Sequence, residues 1–170
     1  MESVHDQARI EPGSLFHWRL GHTVRGGTVS SDDERRRHRA LVEREQLASV
    51  MNDTKWTELA DAMQTFQPPP AWRCKDISAT APGPWDTEWC YHIQPFHTIE
   101  WLEIEFVHAT PKTGKVSARL TPAERTEAEA RLRATLSALG VPYSIEEGLV
   151  RVWGYTRPGA RPAWVAPPAE

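Results

Sequence analysis

The sequence predicts an α+β domain with a mainly antiparallel sheet, helices packed on one of its faces, and an N-terminal extension. Three observations carry this. Two segments repeat apolar residues at helical spacing, several others alternate apolar with polar residues, and the segments run helix, strands, helix, strands rather than in strict strand-helix alternation. The 170 residues give room for one domain, or one domain with an appendage. The 14 prolines and 10 glycines restrict regular structure, so a packed core with irregular flanks is expected.

Residues 1–30 contain Pro12-Gly13-Ser14 and Arg25-Gly26-Gly27-Thr28 without a sustained period, which reads as irregular chain. A charged helix is expected over 31–50. Ser31 can cap it, Asp32, Asp33 and Glu34 suit the positive end of the helix dipole, and no Gly or Pro follows before Met51. Leu41, Leu47 and Val50 form only a narrow apolar stripe, so this helix is expected in solvent or docked on a partner. Met51-Asn52-Asp53-Thr54 reads as a fresh start, with Asp53 or Thr54 as N-cap. Residues 1–50 are therefore read as an extension, 51–156 as the domain, and 157–170 as a loose Pro-rich tail.

Trp56, Leu59, Ala60 and Met63 recur at i, i+3, i+4 and i+7, an amphipathic helix that Pro68-Pro69-Pro70 ends. The period then changes to two. Residues 71–77 form a short strand candidate and 78–84 a loop. Over 88–94, Trp89, Tyr91 and Ile93 alternate with Glu88, Cys90, His92 and Gln94. Over 99–107, Leu102, Ile104 and Phe106 alternate with Trp101, Glu103 and Glu105. These two runs are expected to pair as a hairpin through Pro95-Phe96-His97-Thr98. A polar turn at 111–115 and an extended piece at 116–120 follow. Thr121-Pro122-Ala123-Glu124 is a capping-box helix start, Ala128, Leu132, Leu136 and Leu139 make the inward stripe, and Gly140 marks the stop. Residues 143–145 and 149–155 read as a second hairpin.

Charge and composition narrow the function classes. Lys+Arg 20 against Asp+Glu 23 gives a net charge of -3, which offers no bulk attraction to a polyphosphate and argues against nucleic acid as partner. The deficit lies in residues 51–170, so a basic protein partner fits better. No apolar run approaches a membrane span and the start lacks a basic n-region, which predicts a cytoplasmic chain without a membrane partner. Cys74 and Cys90 are expected as reduced thiols. His92, His97, His108, Glu103 and Glu105 crowd into a short stretch, yet no metal-ligand spacing occurs among them, and no nucleotide-binding fingerprint is present. No metal and no cofactor are expected.

What remains is a surface. With Leu102, Ile104, Phe106, Trp89, Tyr91, Ile93, Val150 and Val152 turned to the helices, the opposite sheet face should display Glu88, His92, Trp101, Glu103, Glu105, Arg151 and Trp153. Exposed tryptophans among carboxylates suit a partner interface. On this reading Trp101 is only partly buried, and Trp101→Ala weakens partner binding while costing less stability than Phe106→Ala.

The series Thr54-Lys55-Trp56, Trp72-Arg73-Cys74-Lys75, Trp85-Asp86-Thr87-Glu88-Trp89 and Ile99-Glu100-Trp101 resembles a small bacterial family of unknown function with Thr-Lys-Trp, Trp-Arg-x-Lys, Trp-Asp-x-Glu-Trp and Ile-Glu-Trp motifs. The resemblance covers roughly residues 51–155 and implies a compact single domain that starts near Met51. It assigns no catalytic residue. Small acidic α+β proteins often serve as immunity or antitoxin partners, an analogy of type. The expected function is a non-enzymatic protein-binding domain using the acidic, Trp-bearing sheet face. The alternative is a small enzyme or metal-dependent ligand-binding domain using His92, His97, Glu103 and Glu105.

Overall fold

Two helices pack on one face of the central sheet. The helix Asp53–Gln64, α2, buries Trp56, Leu59, Ala60 and Met63, the stripe its spacing predicts. Its N-cap is Asn52, whose side chain accepts from the Lys55 amide, rather than Asp53 or Thr54. The helix Pro122–Ala138, α3, starts on the predicted capping box, with Thr121 and Glu124 bonded reciprocally, and buries Leu132 and Leu136. The computed structural model describes residues 31–106 and 120–168. The expected features at 1–30 and 111–115, most of the 116–120 piece, Val107 and His108 lie outside these residues.

The five-stranded sheet has the order β2-β3-β5-β4-β7, with β2 at Ala71–Asp76, β3 at Ile99–Glu105, β4 at Tyr143–Glu146, β5 at Leu149–Trp153 and β7 at Trp164–Ala166. Every pairing in it is antiparallel. Register puts Trp72 opposite Ile104, Cys74 opposite Leu102, and Val152 and Val150 opposite Leu102 and Ile104 on the other side of β3. These side chains share one face and join Trp56, Leu59, Met63, Leu132 and Leu136 in the main core.

The β4–β5 hairpin forms as predicted. Glu146 pairs with Leu149, and the two linking residues, Glu147 and Gly148, both take positive φ as a two-residue turn of this twist requires. The extended run does not continue to Tyr155 as one strand. It stops at Trp153, and Tyr155–Thr156, β6, pairs with Ala48–Ser49, β1, in a separate two-stranded sheet. Gly154 sits at the change of sheets, where an added Cβ would lie 2.2 Å from the Ile99 carbonyl oxygen. Only glycine fits there.

Three further expectations are corrected. The 88–94 run is not a strand: Trp89 and Ile93 are buried while Tyr91 is 81% exposed, so the apolar side chains do not share a side. The isolated bridge of this connection, Asp86 with Trp72, falls just before the run, and β3 pairs instead with β2 and β5. The first helix, α1, spans Ser31–Arg44 and ends before Val50. Gln46 takes φ 52°, and Leu47 turns inward with Ile77 and Tyr155, with Leu41 and Val42 packed against them. The tail is not loose throughout, because β7 adds an edge strand to β4, placing Trp164 opposite Ser144 and Ala166 opposite Tyr143.

Candidate functional site

The sheet face turned away from α2 and α3 carries the charged residues. Register places Arg73, Glu103, Arg151 and Ser144 side by side across four strands, with Lys75, Trp101 and Trp153 in the neighbouring row. Glu103 is 1% exposed and accepts from Arg73 Nε at 2.6 Å on one oxygen and from Arg151 at 2.5 and 3.2 Å on the other. The Arg151 guanidinium lies 4.2 Å over the Trp101 ring and 5.6 Å from that of Trp153, and Arg73 lies 4.8 Å over Trp85. Such stacking gains from the ring quadrupole and shields each guanidinium from water. Trp153 donates to Ser144 Oγ, Ser144 donates to Glu146, and Trp164 packs edge-on against Trp153.

A β-bulge makes the second ion pair. Lys75 opposes Trp101 while the next residue, Asp76, opposes Ile99, so Glu100 is the extra residue of β3. Ile99 thereby joins the core beside Leu102, and Glu100 bonds to Lys75 and Arg157. Burial alone would raise the Glu100 carboxyl. The Arg157 and Lys75 hydrogen bonds outweigh it and hold the group below the ordinary range.

These contacts correct the expected open acidic face. Trp101 and Trp153 are each 9% exposed, Glu103 is enclosed, and its charge is neutralised by two arginines. Glu105 is half-buried at the end of β3. Arg73, Lys75, Glu100 and Arg157 were missed as members of this set. The alternation of Arg73 and Lys75 with Trp72 and Cys74 is the local signal for them, but it shows only once β2 stands beside β3.

Glu88 and His92 do not lie on the sheet. They belong to the 85–95 connection, which is fastened from within. Trp89 donates to the Pro70 carbonyl, Asp86 accepts from the Thr87 and Glu88 amides, and Asp86 pairs with His92 Nδ1 at 2.7 Å. Cys90 Sγ donates to Gln64 of α2. This joins the connection to the outer side of α2, where Glu58 and Asp61 are exposed. Residues 51–106 hold nine carboxylates and three cations, and each cation is already engaged: Lys55 on the Gly140 carbonyl, Arg73 on Glu103, Lys75 on Glu100. The surface of α2 and the connection is consequently acidic, with Tyr91 standing out of it.

The residues of the alternative reading occupy separate environments. His92 holds Asp86, Glu103 holds two arginines, and His97, in the short 3-10 helix Phe96–Thr98, lies edge-on to His38 at 4.8 Å between ring centroids. Among the described residues no group of three or more His, Cys, Asp or Glu is placed to hold a metal ion. Burial and the nearby Asp76 push the Cys74 thiol up to about 11; desolvation with the Glu88 and Asp61 carboxylates raises that of Cys90. Both thiols stay protonated at neutral pH and are poor nucleophiles. A cleft of about 510 Å³ opens at the start of α2, with Asn52, Asp53, His97 and Tyr155 among its lining residues.

Fold and site together define a small α+β domain whose charged sheet face is satisfied internally and whose acidity is displayed on a helix and a loop. The chain belongs to a family of unknown function, DUF6678, whose model matches residues 38–159. No curated protein and no solved structure matches it. Among the described residues no helix is long and apolar enough to cross a membrane.

Proposed function

We propose that this chain is a non-enzymatic protein-binding domain that takes a basic protein partner on the acidic surface of α2 and the 85–95 connection. The observation that carries the reading is Tyr91, an aromatic side chain 81% exposed on a loop whose Trp89 and Ile93 are buried on either side of it. A tyrosine held out by an anchored loop loses little entropy on docking, and the carboxylates of Glu88 and Asp61, which act on the neighbouring Cys90, would steer a cationic partner. His92 contributes through Asp86, fixing the loop. The sheet-face residues Trp101, Glu103, Arg151 and Trp153 have the supporting role of holding the sheet together rather than contacting the partner. An immunity- or antitoxin-type role in a bacterial cytoplasm is the setting this reading implies.

The test is recovery of the tagged full chain from its host, alongside Tyr91→Ala and the double variant Asp61→Lys, Glu88→Lys. A stoichiometric partner rich in Lys and Arg is expected. Tyr91→Ala should weaken it by roughly 2 kcal/mol, and the charge reversals should slow association and flatten its salt dependence, with melting temperatures unchanged. A partner that binds the reversed variant as well as the wild type would overturn the proposal.

A further inference from the structure

The seam between α1 and the body of the domain contains a titratable contact. His38 is half-buried on α1, and its Nε2 is enclosed without a hydrogen-bond partner among the described residues. Its ring meets His97 edge-on at 4.8 Å between centroids and Tyr155 at 5.9 Å. Tyr155 in turn donates its hydroxyl to the His97 carbonyl. Around this contact the helix is held by Leu41 and Val42 against Leu47, Ile77 and Tyr155, and just past its end Glu45 pairs with Arg157 at 3.5 Å. The seat suits a neutral imidazole. A cation there would lose water and leave Nε2–H unpaired.

We propose that His38 is a pH-sensitive latch, holding α1 on the domain when neutral and releasing it when protonated. Release would bare His97 and Tyr155, which also line the cleft at the start of α2. This device is independent of the acidic binding surface. The charged and titratable groups facing His38 work in both directions. Burial and His97 disfavour its protonated form, while the His97 carbonyl and the Asp76 carboxylate favour it, and the disfavouring pair dominates, so its affinity for a proton is lowered. Asp76 is also committed to the Ser78 amide and hydroxyl. Arg157 is balanced by Glu100 and Glu45, and Tyr155 stays neutral throughout the range concerned. A histidine that binds its proton less well when docked costs nothing above its free value of about 6.5 and opposes docking increasingly as the pH falls below it.

The experiment is a titration of the isotope-labelled full chain from pH 7.5 to 5.0, following the His38 ring protons and the backbone amides by NMR. The α1 amides should lose order together as His38 titrates, with the docking constant falling by up to tenfold per pH unit, while amides of β3 and α3 stay ordered. His38→Leu should keep α1 docked at pH 5.0. Three results would each overturn the latch: α1 order unchanged across the range, a His38 ring that titrates at or above its free value, or release of α1 from His38→Leu with the wild-type midpoint. If His38→Leu fails to dock at any pH, the ring titration of the unaltered chain still decides the question.

Discussion

The two faces of β3 are built from consecutive residues of one strand and solve burial by opposite means. On one side Ile99, Leu102 and Ile104 join a core of helix and strand side chains. On the other, Glu100, Trp101 and Glu103 are also buried, but each polar group there has a partner: Glu103 has Arg73 and Arg151, Glu100 has Lys75 and Arg157, and Trp101 has Arg151 over its ring. The apolar face is non-directional and tolerates rearrangement at moderate cost. The charged face is geometric, because a buried charge without its partner costs several kcal/mol. A face with three arginines, a lysine and two glutamates can thus be interior without being apolar, provided the charges close on one another.

Breaking the charged face should produce the largest loss. Glu103→Ala leaves Arg73 and Arg151 without their counter-ion and should destabilise the domain by roughly 3–5 kcal/mol in chemical denaturation. Replacing Arg73, Glu103 and Arg151 together by apolar residues of similar volume should recover much of that loss. If the single change costs under about 1 kcal/mol, the cluster is solvated and the contrast between the faces fails.

Trp101→Ala should cost roughly 3–5 kcal/mol and more than Phe106→Ala, the reverse of the order expected from an open face, because Trp101 is buried under Arg151 whereas Phe106 is half-buried against Phe66. Parallel thermal melts of the two variants measure the order. On the apolar side, Leu132→Ala and Leu136→Ala should each cost roughly 2–5 kcal/mol, as both are buried in the core. Unchanged melting in both would detach α3 from that core.

The bulge offers a sharper test through pH. Glu100 is held below its ordinary range, so its ionised form favours the folded chain. That contribution is fully present above about pH 4.3, the value in the unfolded chain, and is lost as the pH falls through the lower folded value. The stability gap between wild type and Glu100→Gln should therefore be widest near neutrality and shrink on acidification, as followed by circular dichroism. The smallest effect is expected away from both faces, at the α3 cap, where Thr121→Ala should cost about 1 kcal/mol.

Local patterns determined the α+β class, α2 and α3 with their buried stripes, the capping box, β2, and the β4–β5 hairpin with its two-residue turn. Each of these depends on spacing within a few residues, where helix and strand periods and cap chemistry act. The expected membership of a family of unknown function agrees with the family match over residues 38–159. Tertiary structure alone decided which strands are neighbours. The alternation over 88–94 is as regular as that of a strand, yet β2 takes the place beside β3, because Trp72 and Cys74 complete the apolar face while Arg73 and Lys75 bring the cations that Glu103 and Glu100 need. Once those ion pairs form, Trp101 and Trp153 can be buried on the far face, and the exposed surface passes to α2 and Tyr91. Charge compensation of this kind links residues 30, 48 and 57 positions apart, beyond the reach of any local period.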